Sequence, residues 1–97
     1  MASERRKLAD HEIAQGLAGL EGWRVVDGKL RKEFKFKDFK QAFSFMTGVA
    51  LTAESMDHHP DWSNAYNKVV IDLVTHDLGG ISTFDLEFAS RVEKLLP

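Results

Sequence analysis

Cysteine is absent from this chain of 97 residues, which excludes disulfides, thiol nucleophiles and any zinc site built on thiolates. That usage suits a cytoplasmic protein. Proline is scarce: Pro60 lies past the middle and Pro97 is last. With no Pro-, Gly- or Ser-rich linker, no repeat and no low-complexity run, residues 1–97 read as a single domain. No apolar run is long enough to span a bilayer, and the stretch Met1 to Lys7 is polar and charged, unlike a signal peptide. An excess of positive charge is lacking as well. Thirteen Lys+Arg against fifteen Asp+Glu give a net charge of -2, so no bulk field favours phosphate backbones and no direct nucleic-acid partner is expected. The basic clusters Arg5-Arg6-Lys7 and Lys29, Arg31, Lys32, Lys35, Lys37 read as solvated surface. A domain this small buries a modest fraction of its surface, so part of its stability is expected from self-association into a homodimer or homotetramer.

What is present is periodic. From Leu8 to Leu20, Ala9, Ile13, Leu17 and Leu20 recur at helical spacing, weakened by Gly16 and Gly19. Trp23 to Val26 and Lys29 to Phe36 flank Asp27-Gly28, a dipeptide suited to the positive φ angles of a two-residue hairpin turn. In the second strand Leu30, Phe34 and Phe36 share a face with Lys32, while Arg31, Glu33 and Lys35 take the other. Asp38 and Gln41 have capping-box spacing, and behind them Phe39, Phe43, Met46, Ala50 and Ala53 form the expected buried stripe of a helix to Met56. Pro60 stops it from continuing past His58. Val69, Ile71 and Leu73 alternate with Val70, Asp72 and Val74 as a strand. Asn67-Lys68 offers a turn that would make Trp62 to His76 a second hairpin, though the pattern leaves that open. Ser82 and Asp85 again have capping-box spacing, with Ile81 and Leu86 at staple positions and Phe88, Ala89, Val92, Leu95 and Leu96 as the buried stripe. The order α-β-β-α-β-β-α predicts an α+β fold: a four-stranded antiparallel sheet with three helices on one face.

Three of the four histidines fall at element ends beside acids, in Asp57-His58-His59-Pro60 and His76-Asp77, while His11 reads as surface. Imidazole titrates near neutrality, so gathered histidines are acid and base candidates, although a single one at a helix end is more often a cap. His58 and His59 are adjacent at a forced helix exit and should diverge, and Pro60 stiffens the backbone that leads to Trp62. Asp57 falls in a last helical turn, where the dipole disfavours a carboxylate, so it needs exposure or a hydrogen-bonding role. Trp62 offers a flat face for a heteroaromatic ring, and equally suits a half-buried anchor at a strand start. Three imidazoles with Asp57 or Asp77 would meet a zinc ligand count, but adjacent histidines point apart, and no metal is expected.

The motif Glu54-x-x-Asp57-His58-His59-Pro60-Asp61-Trp62, followed by Asn64-x-Tyr66-Asn67-Lys68-Val69 and Thr75-His76-Asp77, resembles the pterin-4a-carbinolamine dehydratase family. Upstream, Phe34-x-Phe36-x-Asp38-Phe39-x-x-Ala42-Phe43-x-Phe45-Met46 is similar to that family too, and the likeness runs from about Trp23 to Leu95. The resemblance implies the same fold and a reaction: loss of water from 4a-hydroxytetrahydrobiopterin to give quinonoid dihydropterin, recycling the cofactor of an aromatic amino acid hydroxylase. It implies His58 and His76 as the acid/base pair and His59 as an orienting group. Asp57, Pro60, Thr75 and Asp77 would line the pocket, with Glu54 and Asp85 supporting the histidines. Gly48 and the Gly79-Gly80 loop depart from the family pattern. Dehydration of a carbinolamine needs one proton given and one taken, so no cofactor is expected. A metal-dependent hydrolase built on the same histidines is one rival. Another, also implied by the resemblance, is a dimerisation cofactor for a homeodomain transcription factor, with a nuclear location, acting through a helical surface on which Phe45, Val49 and Leu51 lie off the main stripe.

Overall fold

The computed structural model describes residues 4–97. It contains α1 (Asp10–Leu17), β1 (Arg24–Val26), β2 (Lys29–Lys35), α2 (Phe39–Met56), β3 (Asp61–Ala65), β4 (Lys68–Leu73), a 3-10 turn (His76–Leu78) and α3 (Thr83–Glu93). The strands form one antiparallel sheet in the order β1-β2-β4-β3, so α2 carries the chain from β2 to the far edge. The α+β fold expected from the sequence is therefore present.

The first hairpin turns at Asp27 (φ 51°) and Gly28 (φ 77°), both in the left-handed region that this dipeptide tolerates. The second turn falls one residue earlier than Asn67-Lys68. Ala65 pairs with Lys68, leaving Tyr66 (φ 53°) and Asn67 as the turn. Asn67 settles this register, since its backbone carbonyl accepts from Phe36 N–H and its side chain donates back to Phe36 O.

Every second residue of β2 and β4 faces the helices: Leu30, Phe34, Val69, Ile71 and Leu73 are buried there. Lys32 shares that face, and its ammonium donates to Glu93 Oε2 at 2.8 Å and to the Glu21 carbonyl at 2.9 Å. Phe34, Phe36 and Phe45 pack ring against ring, 4.8 to 4.9 Å between Phe45 and the other two. Opposite, Arg31 forks onto Asp72 across the strands, which raises the Arg31 guanidinium further above its usual range.

Three expectations about the helices need correction. α1 is shorter than Leu8 to Leu20, because Glu12 folds back to accept from the Ala9 N–H at 2.9 Å and fixes the start there. In α2, capped by the Asp38 side chain on Gln41 N–H, the buried face is Ala42, Phe45, Val49 and Ala53. Phe39, Phe43 and Ala50 of the expected stripe are exposed, and Met46 is half-buried. Phe45 and Val49 are thus core rather than an outer face, whereas Leu51 is 68% exposed. Third, α3 ends at Glu93, so Leu95 and Leu96 lie beyond it, Leu95 exposed.

Candidate active site

α2 ends in a Schellman-type cap. His58 N–H bonds the Ala53 carbonyl at 3.1 Å, Asp57 N–H bonds that of Glu54, and Asp57 takes the left-handed conformation. Asp57 therefore lies one residue past the helix rather than in its last turn, and its carboxylate is exposed. The reversal sends the His58 side chain inward and that of His59 outward, the divergence expected of neighbours at a forced exit.

His58 is buried, and its Nε2 lies 2.6 Å from Asp85 Oδ1. Asp85 is fully buried at the first turn of α3, where its Oδ2 accepts from Ser82 N–H at 2.8 Å and Thr75 Oγ1 at 2.9 Å. Ser82 Oγ in turn lies 2.6 Å from Thr75 Oγ1 and accepts from Phe84 N–H. Counting protons assigns the tautomer: Ser82 gives its hydroxyl proton to Thr75, Thr75 gives its own to Asp85, and His58 gives Nε2–H to Asp85. In the neutral ring Nδ1 of His58 is then the acceptor. No buried side-chain nitrogen or oxygen among the described residues lacks a partner. Phe84 and Phe88 stand edge-on to the ring, each 6.0 Å away, and lock its plane.

Above this buried layer is a depression of about 270 Å³, lined by Arg5, Asp57, His58, His59, Val74, Thr75, His76 and Asp77. His59 is exposed and its Nε2 lies 2.8 Å from Glu54 Oε1. His76 sits on the 3-10 turn, 3.8 Å from Asp61 Oδ2, which Lys29 also approaches. Arg5 Nη1 and Nη2 fork onto Asp77 at 2.9 and 2.5 Å. This bonding holds the Asp77 carboxyl below the usual carboxylate range and raises Arg5. Among the described residues no three His, Asp or Glu side chains converge as metal ligands would.

The geometry thus unites six of the expected residues in one lining, Asp57, His58, His59, Thr75, His76 and Asp77, with Asp85 beneath and Glu54 beside it. Pro60 and Trp62 do not line it. Trp62 faces α2 instead, beside Phe43, Met46 and Leu51.

Residues 6–95 match the family described as Pterin 4 alpha carbinolamine dehydratase. This chain belongs to that family. Membership makes it a dehydratase, an enzyme that removes water. A Solibacter usitatus relative is 51% identical over 89 residues, covering 92% of this chain and 94% of its own. The Drosophila melanogaster protein named pterin-4-alpha-carbinolamine dehydratase is 50% identical over 91 residues, 90% of this chain and 47% of that longer protein. Among solved structures, a Brucella melitensis protein described as a transcriptional coactivator/pterin dehydratase superposes with a TM-score of 0.89 at 42% identity, covering 94% of this chain and 99% of that one. A pterin dehydratase-like protein described as a RuBisCO assembly factor in the alpha-carboxysome gives 0.66 at 28% identity, over 77% of this chain and 89% of that one.

Sequence reasoning missed Arg5, which lines the depression, and Asp61, which lies beside His76. Asp61 stood inside the histidine motif, so its proximity was available. Arg5 carried no local signal, because its partner is Asp77.

Proposed function

We propose that this chain dehydrates a 4a-hydroxytetrahydropterin to the quinonoid dihydropterin by histidine acid-base catalysis. The supporting observation is His58, whose Nε2 bonds buried Asp85 beneath the depression that His58 itself lines. In the reaction the C4a–O bond breaks, the hydroxyl leaves with an added proton as water, and the neighbouring ring nitrogen loses its proton as the C=N bond forms. No electrons are exchanged with an outside group. One imidazole must give a proton and one must take it, help worth about 10²- to 10⁴-fold in rate. His58 and His76 are assigned those parts, and His59, steadied by Glu54, orients the ring. The carboxylates of Asp57 and Asp77 are acceptors for the pterin N–H groups. Thr75 supports Asp85, and Pro60 stiffens the exit from α2. Trp62 is assigned no contact with the pterin. Once a separate two-electron reduction has restored it to the tetrahydropterin, the product would serve an aromatic amino acid hydroxylase.

The test is turnover of synthetic 4a-hydroxytetrahydropterin. His58→Ala and His76→Ala should each lower kcat more than they raise KM, and His59→Ala should do the reverse. The double variant should be far slower than either single one. Wild-type turnover in the double variant would overturn the assignment, as would activity lost to a chelator and restored by zinc.

A second reading, a binding module working through the helical surface, draws on the exposed Phe39, Phe43 and Leu51 of α2. The same face also suits a second copy of this chain.

A further inference from the structure

Arg5 stands outside every motif in the sequence, yet its fork on Asp77 joins groups 72 residues apart. Residues 4–8 reach the site as a strap bonded along the start of α3. Leu8 N–H bonds Ile81 O at 2.9 Å, Thr83 N–H bonds Arg6 O at 3.0 Å, and Thr83 Oγ1 donates to Glu4 O at 2.6 Å. The strap is thereby fixed to the helix turn that also carries Asp85. From it the Arg5 guanidinium lies 5.9 Å over the Phe84 ring, and Phe84 is one of the two rings that lock His58. On the other side it grips Asp77 in the turn that carries His76. That turn has a Thr75–Gly80 backbone pair at its base, and the contact of His76 with Asp61 is long, at 3.8 Å.

The charge balance gives Arg5 a second effect. Carboxylates surround the imidazoles from every element at the site: Glu54 and Asp57 from the end of α2, Asp61 from β3, Asp77 from the turn and Asp85 from α3. Lys29 lies on Asp61. Arg5 is the one lysine or arginine among the described residues lining the depression.

We infer that Arg5 is a positioning residue of the site: through Asp77 it fixes the turn carrying His76, and its charge offsets the carboxylates around the three imidazoles. This rests on the dehydratase reading, and it explains why an exposed ion pair, which contributes little to stability, is built as a two-point fork. Removing the guanidinium leaves a bare carboxylate beside the imidazoles, which favours their protonated forms.

The experiment is an NMR titration of the imidazole protons in ligand-free protein, with kcat/KM followed against pH on the same samples. In Arg5→Gln the midpoints of the site histidines should move to higher pH by roughly half a unit, the size expected of one added net charge at a solvated site. The kcat/KM profile should move the same way, with kcat lowered. Arg5→Lys, which keeps the charge and loses the fork, should hold the midpoints near wild type and recover only part of kcat. Asp77→Asn should move them to lower pH. Arg6→Gln is the control, since Arg6 lies on the same strap but pairs with Glu12, and exposed His11 on α1 is the internal reference. Unmoved midpoints in Arg5→Gln, or an equal shift in Arg6→Gln, would overturn the inference. The titration needs no substrate, so a wild-type chain that fails to dehydrate the pterin would sink the dehydratase reading separately.

Discussion

At φ 49° and ψ 44° position 57 favours glycine, and it holds an aspartate. A side chain kept in a conformation it disfavours points to work done by its carboxylate. Asp57→Gly should therefore raise stability by about 1 kcal/mol while lowering pterin affinity or turnover, and Asp57→Ala should lower both. Chemical denaturation beside kinetics separates the two effects. Asp85 has no such freedom, because its oxygens take three donors in a buried layer. Asp85→Asn would aim an amide N–H₂ at one of them, and the unpaired buried donors should cost about 1–3 kcal/mol with a loss of kcat. Asp77 makes a prediction about pH. Its folded pKa is depressed by Arg5, so the pair's stabilisation is present above the unfolded carboxylate value and is lost as pH falls through the folded one. Wild-type and Asp77→Asn melting temperatures should therefore begin to draw together only as pH falls below about 4, and meet below the depressed folded value. The histidines were readable in the sequence because they sit at element ends beside acids. Arg5 was not, because only the strap brings it to the site.

Elements were readable where their ends carry local chemistry. Asp27-Gly28, Asp38 and the Ser82–Asp85 box each have a side-chain or backbone reason to start or reverse the chain there, and each stands where the sequence puts it. The face of α2 was not readable. Apolar residues surround this helix, so Phe39, Phe43 and Ala50 compete in pattern with Phe45 and Val49, and only packing against the sheet selects between them. Small residues set that packing. An added Cβ at Gly16 would stand 2.4 Å from Leu86 Cδ1, so α1 and α3 touch there through a missing side chain. Gly16→Ala should therefore lower the melting temperature despite better helix propensity. At Gly48 the nearest atom is Leu95 Cδ1 at 3.2 Å, on a half-exposed side chain past the end of α3 that is able to yield. Gly48→Ala should be neutral or stabilising by up to about 1 kcal/mol.

For the whole molecule, the exposed Phe39, Phe43, Leu51 and Trp62 lie beside β3, the strand at one edge of the sheet. An apolar face next to an open strand edge favours association. Sedimentation at micromolar concentration should show a dimer or tetramer, and Phe43→Asp should shift it towards the 11.0 kDa species. A wild-type chain found only at that mass would count against self-association. The buried layer around Asp85 has a different consequence, which concerns how the enzyme is lost on heating. One carboxylate both closes the first turn of α3 and holds the imidazole of His58, so His58 has no independent way to loosen while the helix start remains intact. Thermal inactivation and unfolding should follow a single curve, and amide exchange at Ser82 should be as slow as in the central strands. Heat that frees this imidazole has already opened the helix that carries its partner.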